Sequence, residues 1–298
     1  MKKILFAICA ACLTIYGCKK DADPAPEPTP DPVNTTAPQL ILKFKFDSTQ
    51  TRLDNFGNVS TLPAGNSGQS PIFNSMSAHY VELTTNQLTA LGAGTIIYES
   101  PKTTLGGDMA IDHNSSVLAT ENSTFLSIPL SSVAAGTYEY MRVSLSYQNY
   151  DIKLRVNSPS VIDLTGTLAS FIGQNTYISS YTIKDSAIAV NANKLQGYWG
   201  FETIYNVTTG QPPPGSVTVP NPIFSTSPIP QGSCIVTGAF SPGALTITGS
   251  ETSDIVITLS VSTNKSFEWK DADMDGRFEP LDGDTVVDMG IRGLIPMY

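Results

Sequence analysis

The chain has very few of the side chains on which the common catalytic sites depend. Only two histidines, His79 and His113, occur in 298 residues, and neither belongs to a His-Glu-x-x-His zinc motif. Four cysteines are present, but Cys234 alone lies beyond residue 18. An internal disulfide in the folded part is therefore excluded, and the apolar neighbours of Cys234 indicate a buried, inert thiol. The Gly-x-Ser-x-Gly turn of serine hydrolases is also missing.

Charged residues are scarce as well, and most of them are negative. They make up 14% of the chain, which has a net charge of −9. A negative protein repels nucleic acid and anionic lipid head groups, so neither is expected as a partner. The part of the chain after residue 38 is long enough to bury a substantial core, as one large domain or as two smaller ones.

The N-terminal segment has the pattern of an export signal that ends in cysteine. Two lysines precede an apolar run, Ile4 to Ile15, which is too short to span a bilayer. The residues that follow, Ile15-Tyr16-Gly17-Cys18, resemble the bacterial lipobox. The resemblance implies that residues 1–17 are a signal peptide and that Cys18 carries acyl chains that hold the protein to a membrane. The alternative is an ordinary secretory signal that is cut elsewhere.

The segment after Cys18 predicts surface export and a stalk. Lys19 to Asp23 resembles the acidic export signal of Bacteroidetes-type lipoproteins, which implies the outer face of the outer membrane; a solvated spacer is the alternative. Residues 18–38 contain six prolines and few apolar side chains, so packing cannot offset the entropy cost of ordering them. As polyproline II, residues 19–38 would hold the remainder up to about 60 Å from the lipid.

Beyond residue 38, the hydrophobic pattern predicts β-structure nearly throughout. Leu42, Phe44 and Phe46 alternate with lysines, which is the period of a half-buried strand. Further strands are predicted at Gly94–Tyr98, Phe125–Leu130, Tyr138–Tyr147, Asp151–Val156, Ser233–Phe240, Ala244–Thr248, Asp254–Val261 and Thr285–Ile291. Many short strands with frequent turns are typical of an antiparallel β-sandwich. We therefore predict an all-β fold over residues 39–298.

Three segments depart from this strand pattern. One short helix is predicted near residues 85–91, where threonine can cap the start and Gly92 follows the end. The alternation lapses at residues 157–163, which is where two tandem sandwiches would be joined. The run Gln211 to Gln231 holds seven prolines and indicates either a functional loop or a surface crossover.

The strongest chemical motif is the acidic run of residues 271–282. Calcium takes six to eight oxygens, which loop positions 1, 3, 5, 7, 9 and 12 supply around a turn at a glycine in position 6. The matching residues are Asp271, Asp273, Asp275, Arg277 through its carbonyl, Glu279 and Asp282. The run resembles the calcium loops of EF-hand and dockerin proteins, but it ends in Asp and has strand-like flanks. We predict a structural Ca²⁺ site in a β-hairpin connection; a solvated acidic turn is the alternative.

Aromatic residues suggest a weaker hypothesis for ligand binding. Tyr138, Tyr140, Tyr147 and Tyr150 are predicted on a water-exposed surface, where they would contact a glycan. The preferred function is therefore a non-catalytic, surface-anchored module that binds a glycan, a peptide or a partner protein. One alternative is a carboxylate-dependent hydrolase acting on polysaccharide. The other is a copper-handling accessory protein that uses His79, His113 and a nearby methionine.

Overall fold

The computed structural model describes residues 37–157, 159–212 and 234–298. The predicted signal peptide, Cys18, the stalk up to residue 36 and most of the proline-rich run at 211–231 lie outside these residues. The strands are β1 (Gln39–Asp47), β2 (Asn66–Gln69), β3 (Ile72–Thr84), β4 (Thr95–Glu99), β5 (Lys102–Thr103), β6 (Ala110–Asp112), β7 (Thr124–Pro129), β8 (Gly136–Tyr138), β9 (Tyr140–Val156), β10 (Ile162–Phe171), β11 (Asn175–Thr182), β12 (Ala187–Leu195), β13 (Tyr198–Glu202), β14 (Val207–Gly210), β15 (Ile235–Ala239), β16 (Leu245–Ile247), β17 (Ile255–Ser262), β18 (Phe267–Lys270), β19 (Thr285–Asp288) and β20 (Leu294–Met297). Two single-turn 3₁₀ helices, His113–Ser115 and Leu130–Ser132, complete the regular structure of the described part.

The strands form several sheets that pack on one another, which confirms the all-β, sandwich-type fold. The largest sheet has the order β14-β13-β10-β9-β3-β4, with β15 also paired to β9. A second sheet, β20-β17-β1-β7, buries Leu40, Leu42 and Phe44 of β1 in the same hydrophobic cluster as Val81 of β3 and Val143 of β9. The smaller sheets are β12-β11-β6-β5, β19-β18-β2 and β16-β8.

Most strand pairs are antiparallel, as expected for a sandwich. Two of the pairs are parallel, β1 with β17 and β6 with β11. Strand β9 is one long strand where the sequence predicts two. It pairs with β10 from Tyr147↔Phe171 to Val156↔Ile162. The segment considered as a boundary, residues 157–163, thus leads from one strand to its neighbour within a single unit, Ala37–Tyr298.

The prediction of a helix near residues 85–91 is wrong. The segment is a pair of turns between β3 and β4, in which the Asn86 side chain accepts a hydrogen bond from the Leu88 N–H at 2.8 Å. Main-chain groups in and after this segment bond to distant side chains. Arg142 Nη2 donates to the Gln87 carbonyl at 2.6 Å, and the Glu82 carboxylate accepts from the Gly92 N–H at 3.1 Å. The buried side chains of Arg142 and Glu82 therefore stabilise two turns where the sequence predicts a helix.

Candidate functional site

The acidic run forms the connection between two paired strands. β18 precedes it and β19 follows it, and the two are antiparallel neighbours, so the prediction of strand flanks is confirmed. Phe278, inside the connection, packs its ring on Phe267 and Trp269 with centroid separations of 5.0 and 5.6 Å. This aromatic contact anchors the connection to the hydrophobic core.

Three of the predicted calcium ligands lie together. One carboxylate oxygen from each of Asp271, Asp273 and Asp275 lies within 4.8 Å of the other two. Asp271 is buried, whereas the other two aspartates are exposed. Gly276 turns the chain beside them with φ of 79°, a conformation that glycine adopts without strain. The cluster supplies three of the six to eight oxygens that calcium takes.

The first aspartate is held by hydrogen bonds to its carboxylate. Asp271 accepts from Ser67 Oγ at 2.7 Å, from the Met274 N–H at 2.8 Å and from the Gly276 N–H at 2.9 Å. These bonds lower the pKa of Asp271, with the Ser67 hydroxyl making the largest contribution. Hydrogen bonds that stabilise the charged form keep this carboxylate ionised and oriented.

Two of the other predicted ligands are not brought together with these three aspartates. Glu279 and Asp282 lie outside the carboxylate cluster, and the Asp282 side chain accepts from Asn157 Nδ2 at 3.0 Å. The loop instead closes through Asp284, which sequence reasoning missed. Its buried carboxylate accepts from the Ala272 N–H at 2.9 Å and from the Glu279 N–H at 2.7 Å. The EF-hand spacing gave no signal for Asp284, because that pattern stops at position 12.

A second candidate is a cleft of about 430 Å³. Its walls come from β3, β9, the 3₁₀ turn at 113–115 and the end of β11, and they include Ser75, His113, Tyr147, Asn149 and Tyr181. None of the described residues that line the cleft carries a formal charge at neutral pH. The lining is mostly polar, so a small ligand would be held there chiefly by hydrogen bonds.

Two of the rings that line this cleft, those of His113 and Tyr147, pack on each other. The ring centroids of His113 and Tyr147 lie 5.1 Å apart, and both rings pack on Phe171. Burial lowers the pKa of His113 to about 4, although the neighbouring charge of Asp112 opposes this shift. Burial also raises the pKa of Tyr147 to about 12. Both side chains are therefore uncharged at neutral pH.

The four tyrosines predicted on a water-exposed surface lie mostly in the interior, so that prediction is corrected. Tyr138, Tyr147 and Tyr150 are buried, and only Tyr140 is half-buried. The hydroxyl of Tyr150 donates to the Met289 carbonyl at 2.8 Å, and that of Tyr138 donates to the Ala134 carbonyl at 2.7 Å. The prediction is wrong for Tyr147 and Tyr150 because β9 is a central strand covered on both faces. It is wrong for Tyr138 because that ring belongs to the main hydrophobic cluster. Tyr147 alone of the four lines the cleft.

His79 and Cys234 are enclosed in the interior, whereas His113 lines the cleft. His79 is buried with Nε2 2.7 Å from Ser144 Oγ, and burial lowers its pKa to about 4. Within the described residues, neither histidine belongs to a group of three His, Cys, Asp or Glu side chains that could share a metal. Cys234 is buried, which raises its thiol pKa to about 12. The prediction of a buried thiol is confirmed.

Comparison with known proteins gives no relative. No family model, curated protein or solved structure matches the chain. Across residues 37–157, 159–212 and 234–298, no helix is long and apolar enough to cross a membrane. The two sites described above are therefore interpreted from their own geometry.

Proposed function

We propose that this protein is a lipid-anchored binding protein on the outer surface of the outer membrane, with a β-sandwich body that binds a ligand without converting it. The cleft over His113 and Tyr147 carries the proposal. Paired-carboxylate hydrolysis needs two acids across one cleft, and no Asp or Glu is among the described residues that line this one. The uncharged lining supports recognition of a glycan, a peptide or an exposed part of a partner protein.

A ligand screen with a cleft-filling variant tests the binding role. Ser180 is exposed and lines the cleft, so Ser180→Trp fills the space without entering the core. Neutral oligosaccharides, acidic oligosaccharides and peptides are each added to the intact protein in detergent, and the unfolding midpoint is recorded. At least one class should raise the midpoint of the wild type but not of Ser180→Trp, and it should be recovered unchanged.

Thr208→Trp is the matched control, because Thr208 is an exposed position on β14 outside the cleft. It should respond as the wild type does. A midpoint that no class raises, or a ligand recovered in cleaved form, would contradict the proposal.

The anchor is proposed from the sequence around Cys18. In cells that process the lipobox, the mature protein should begin at Cys18 and carry acyl chains, which mass spectrometry detects. Protease added to intact cells should then digest the folded body. Cys18→Ala should abolish acylation, whereas Cys234→Ala should retain it. Acylation that survives Cys18→Ala, or a wild-type protein protected from protease, would exclude the anchor or its outward orientation respectively.

The acidic connection is proposed to hold Ca²⁺ through Asp271, Asp273 and Asp275. Close carboxylates repel one another until a cation neutralises them, so bound metal would stabilise the hairpin connection. At a concentration 100 times the dissociation constant, a ligand adds about 2.7 kcal/mol of stability. For a chain of this size, we expect 10 mM Ca²⁺ to raise the unfolding midpoint by about 5 °C relative to chelator.

Two Asp→Asn variants, one inside the carboxylate cluster and one outside it, test whether the cluster binds the calcium. Asp273 is exposed, and its hydrogen bond from the Asp275 N–H is long, at 3.3 Å. Asp273→Asn should therefore remove most of the calcium-dependent shift while changing the calcium-free midpoint little. Asp282→Asn should keep the shift, because Asp282 lies outside the cluster. Equal midpoints with calcium and with chelator in the wild type would rule out the site.

A further inference from the structure

We propose that the cleft over Tyr147 and His113 binds a neutral, hydroxyl-rich ligand, a saccharide unit, through the Tyr147 hydroxyl and the edge of the His113 ring. This inference rests on the proposed binding function and narrows it to one class of ligand. It depends on the absence of charged side chains in the cleft, on the hydrogen bonds that the Tyr147 hydroxyl and the His113 ring can still form, and on the fixed position of His113.

The charge of the cleft favours an uncharged ligand. A carboxylate, phosphate or ammonium group that enters a cleft loses water and needs a counter-charge to offset that loss. The described lining residues offer none, because they are Ser, Thr, Asn, Leu, Ile, Tyr and neutral His. Acidic sugars and charged peptide side chains are therefore disfavoured.

The Asn149 amide leaves the Tyr147 hydroxyl free to donate. Asn149 Nδ2 donates to the Ile183 carbonyl at 2.8 Å and to the Tyr147 hydroxyl oxygen at 3.3 Å. Its Oδ1 accepts from Asn74 Nδ2 at 2.9 Å. Asn149 is thus occupied by the protein, whereas Tyr147 uses its oxygen as an acceptor and keeps its proton. A ligand hydroxyl can accept that proton.

His113 supplies one donor and one acceptor. Its ring packs on Tyr147 and Phe171, and within the described residues neither ring nitrogen forms a hydrogen bond. Because burial keeps the imidazole neutral near pH 7, one nitrogen donates and the other accepts. A sugar hydroxyl both donates and accepts, and so it matches this edge.

The exposure of the rings favours hydroxyl contacts over stacking. His113 is 8% exposed and Tyr147 is 3% exposed, since each ring packs on the other and on Phe171. Packing covers the ring faces, so in this proposal a ligand meets the Tyr147 hydroxyl and the His113 ring nitrogens instead. An apolar ligand would leave these polar edges unpaired in a desolvated site, which costs binding free energy.

The 3₁₀ turn that carries His113 is held in place before any ligand arrives. The Asp112 carboxylate accepts from the Asn114 N–H at 3.1 Å and from Ser115 Oγ at 2.8 Å. Asn114 Oδ1 accepts from Ser179 Oγ at 2.7 Å, which ties the turn to β11. A preformed site loses little conformational entropy on binding.

Calorimetry of the intact protein in detergent tests this assignment. The probes are neutral trisaccharides of glucose, mannose and galactose, an acidic trisaccharide of galacturonate, and a neutral tripeptide. At least one neutral sugar should bind and the galacturonate should not. Tyr147→Phe keeps the ring but removes the hydroxyl, and it should weaken sugar binding about tenfold. Tyr138→Phe should bind as the wild type does, because the Tyr138 hydroxyl bonds outside the cleft.

The outcomes separate this inference from the function on which it rests. Sugar binding that Tyr147→Phe and Ser180→Trp leave unchanged would overturn the assignment of the cleft. Binding of the peptide or of galacturonate alone, lost in Ser180→Trp, would overturn the saccharide class but retain a binding cleft. No binding by any probe overturns this inference. If Tyr147→Phe unfolds, the Ser180→Trp result decides.

Discussion

Glu82→Gln is expected to lower the free energy of unfolding by about 3–5 kcal/mol, the usual cost of breaking a buried ion pair. Glu82 and Arg142 are fully buried and face each other across β3 and β9, with Nη1 3.6 Å from Oε2. Glutamine keeps an oxygen that can accept from the Gly92 and Gly94 N–H groups. The charge of Arg142 then has no buried partner, which is the source of the expected loss.

A double-mutant cycle isolates the pair. Arg142→Met leaves Glu82 unpaired and should also destabilise, whereas the double variant should lose less than the sum of the two single losses. Urea unfolding provides the measurement. Asp163→Asn is the matched control, because Asp163 forms an exposed ion pair with Arg155 and should lose far less stability. A loss for Glu82→Gln no larger than that of the control would contradict the interpretation of the pair.

Acidification is expected to destabilise the protein strongly between pH 6.5 and pH 4. Burial lowers the pKa of both His79 and His113 from 6.5 to about 4. In this window the unfolded chain binds protons that the folded chain does not, so stability falls as the pH falls. Each histidine should account for about 3 kcal/mol of that loss. The contribution is constant below pH 4, where both states are protonated.

Histidine variants check the origin of this loss. His79→Gln and His113→Gln each remove one titrating group, so each variant should lose about half as much stability between pH 7 and pH 4 as the wild type does. Denaturant unfolding at several pH values gives the comparison. Carboxylates with lowered pKa, such as Asp54 and Asp271, add to the loss only near pH 4 and below. A decline of equal size in all three proteins would show that the histidines are not responsible.

A strand with one partly exposed face, such as β1, was predictable from the sequence, whereas β3 was not. β1 shows clear alternation because one face packs in the core and the other is partly exposed. β3 was missed since residues on both of its faces are buried, including the polar Ser77, His79 and Glu82. Those polar residues break the apolar period on which strand prediction depends. The same buried Glu82, acting on the turn at 85–94, explains why the predicted helix is absent.

The two candidate sites differ in how far sequence could predict them. Asp271, Asp273 and Asp275 are close in the chain, so their spacing alone predicted the cluster that they form in the fold. The cleft draws its residues from segments far apart in sequence, such as Ser75, His113, Tyr147 and Tyr181. Local spacing carries no information on such a set, because the strand pairings determine which residues meet.

Magnetic resonance of the histidine rings tests the central claim most directly. The chain has only His79 and His113, and the first is enclosed beside Ser144 while the second lines the cleft. On addition of the neutral trisaccharides, the ring signals of His113 should shift until saturation, and those of His79 should stay in place. If the His113 signals do not move with any of these sugars, or if both histidines shift together, the cleft is not the binding site.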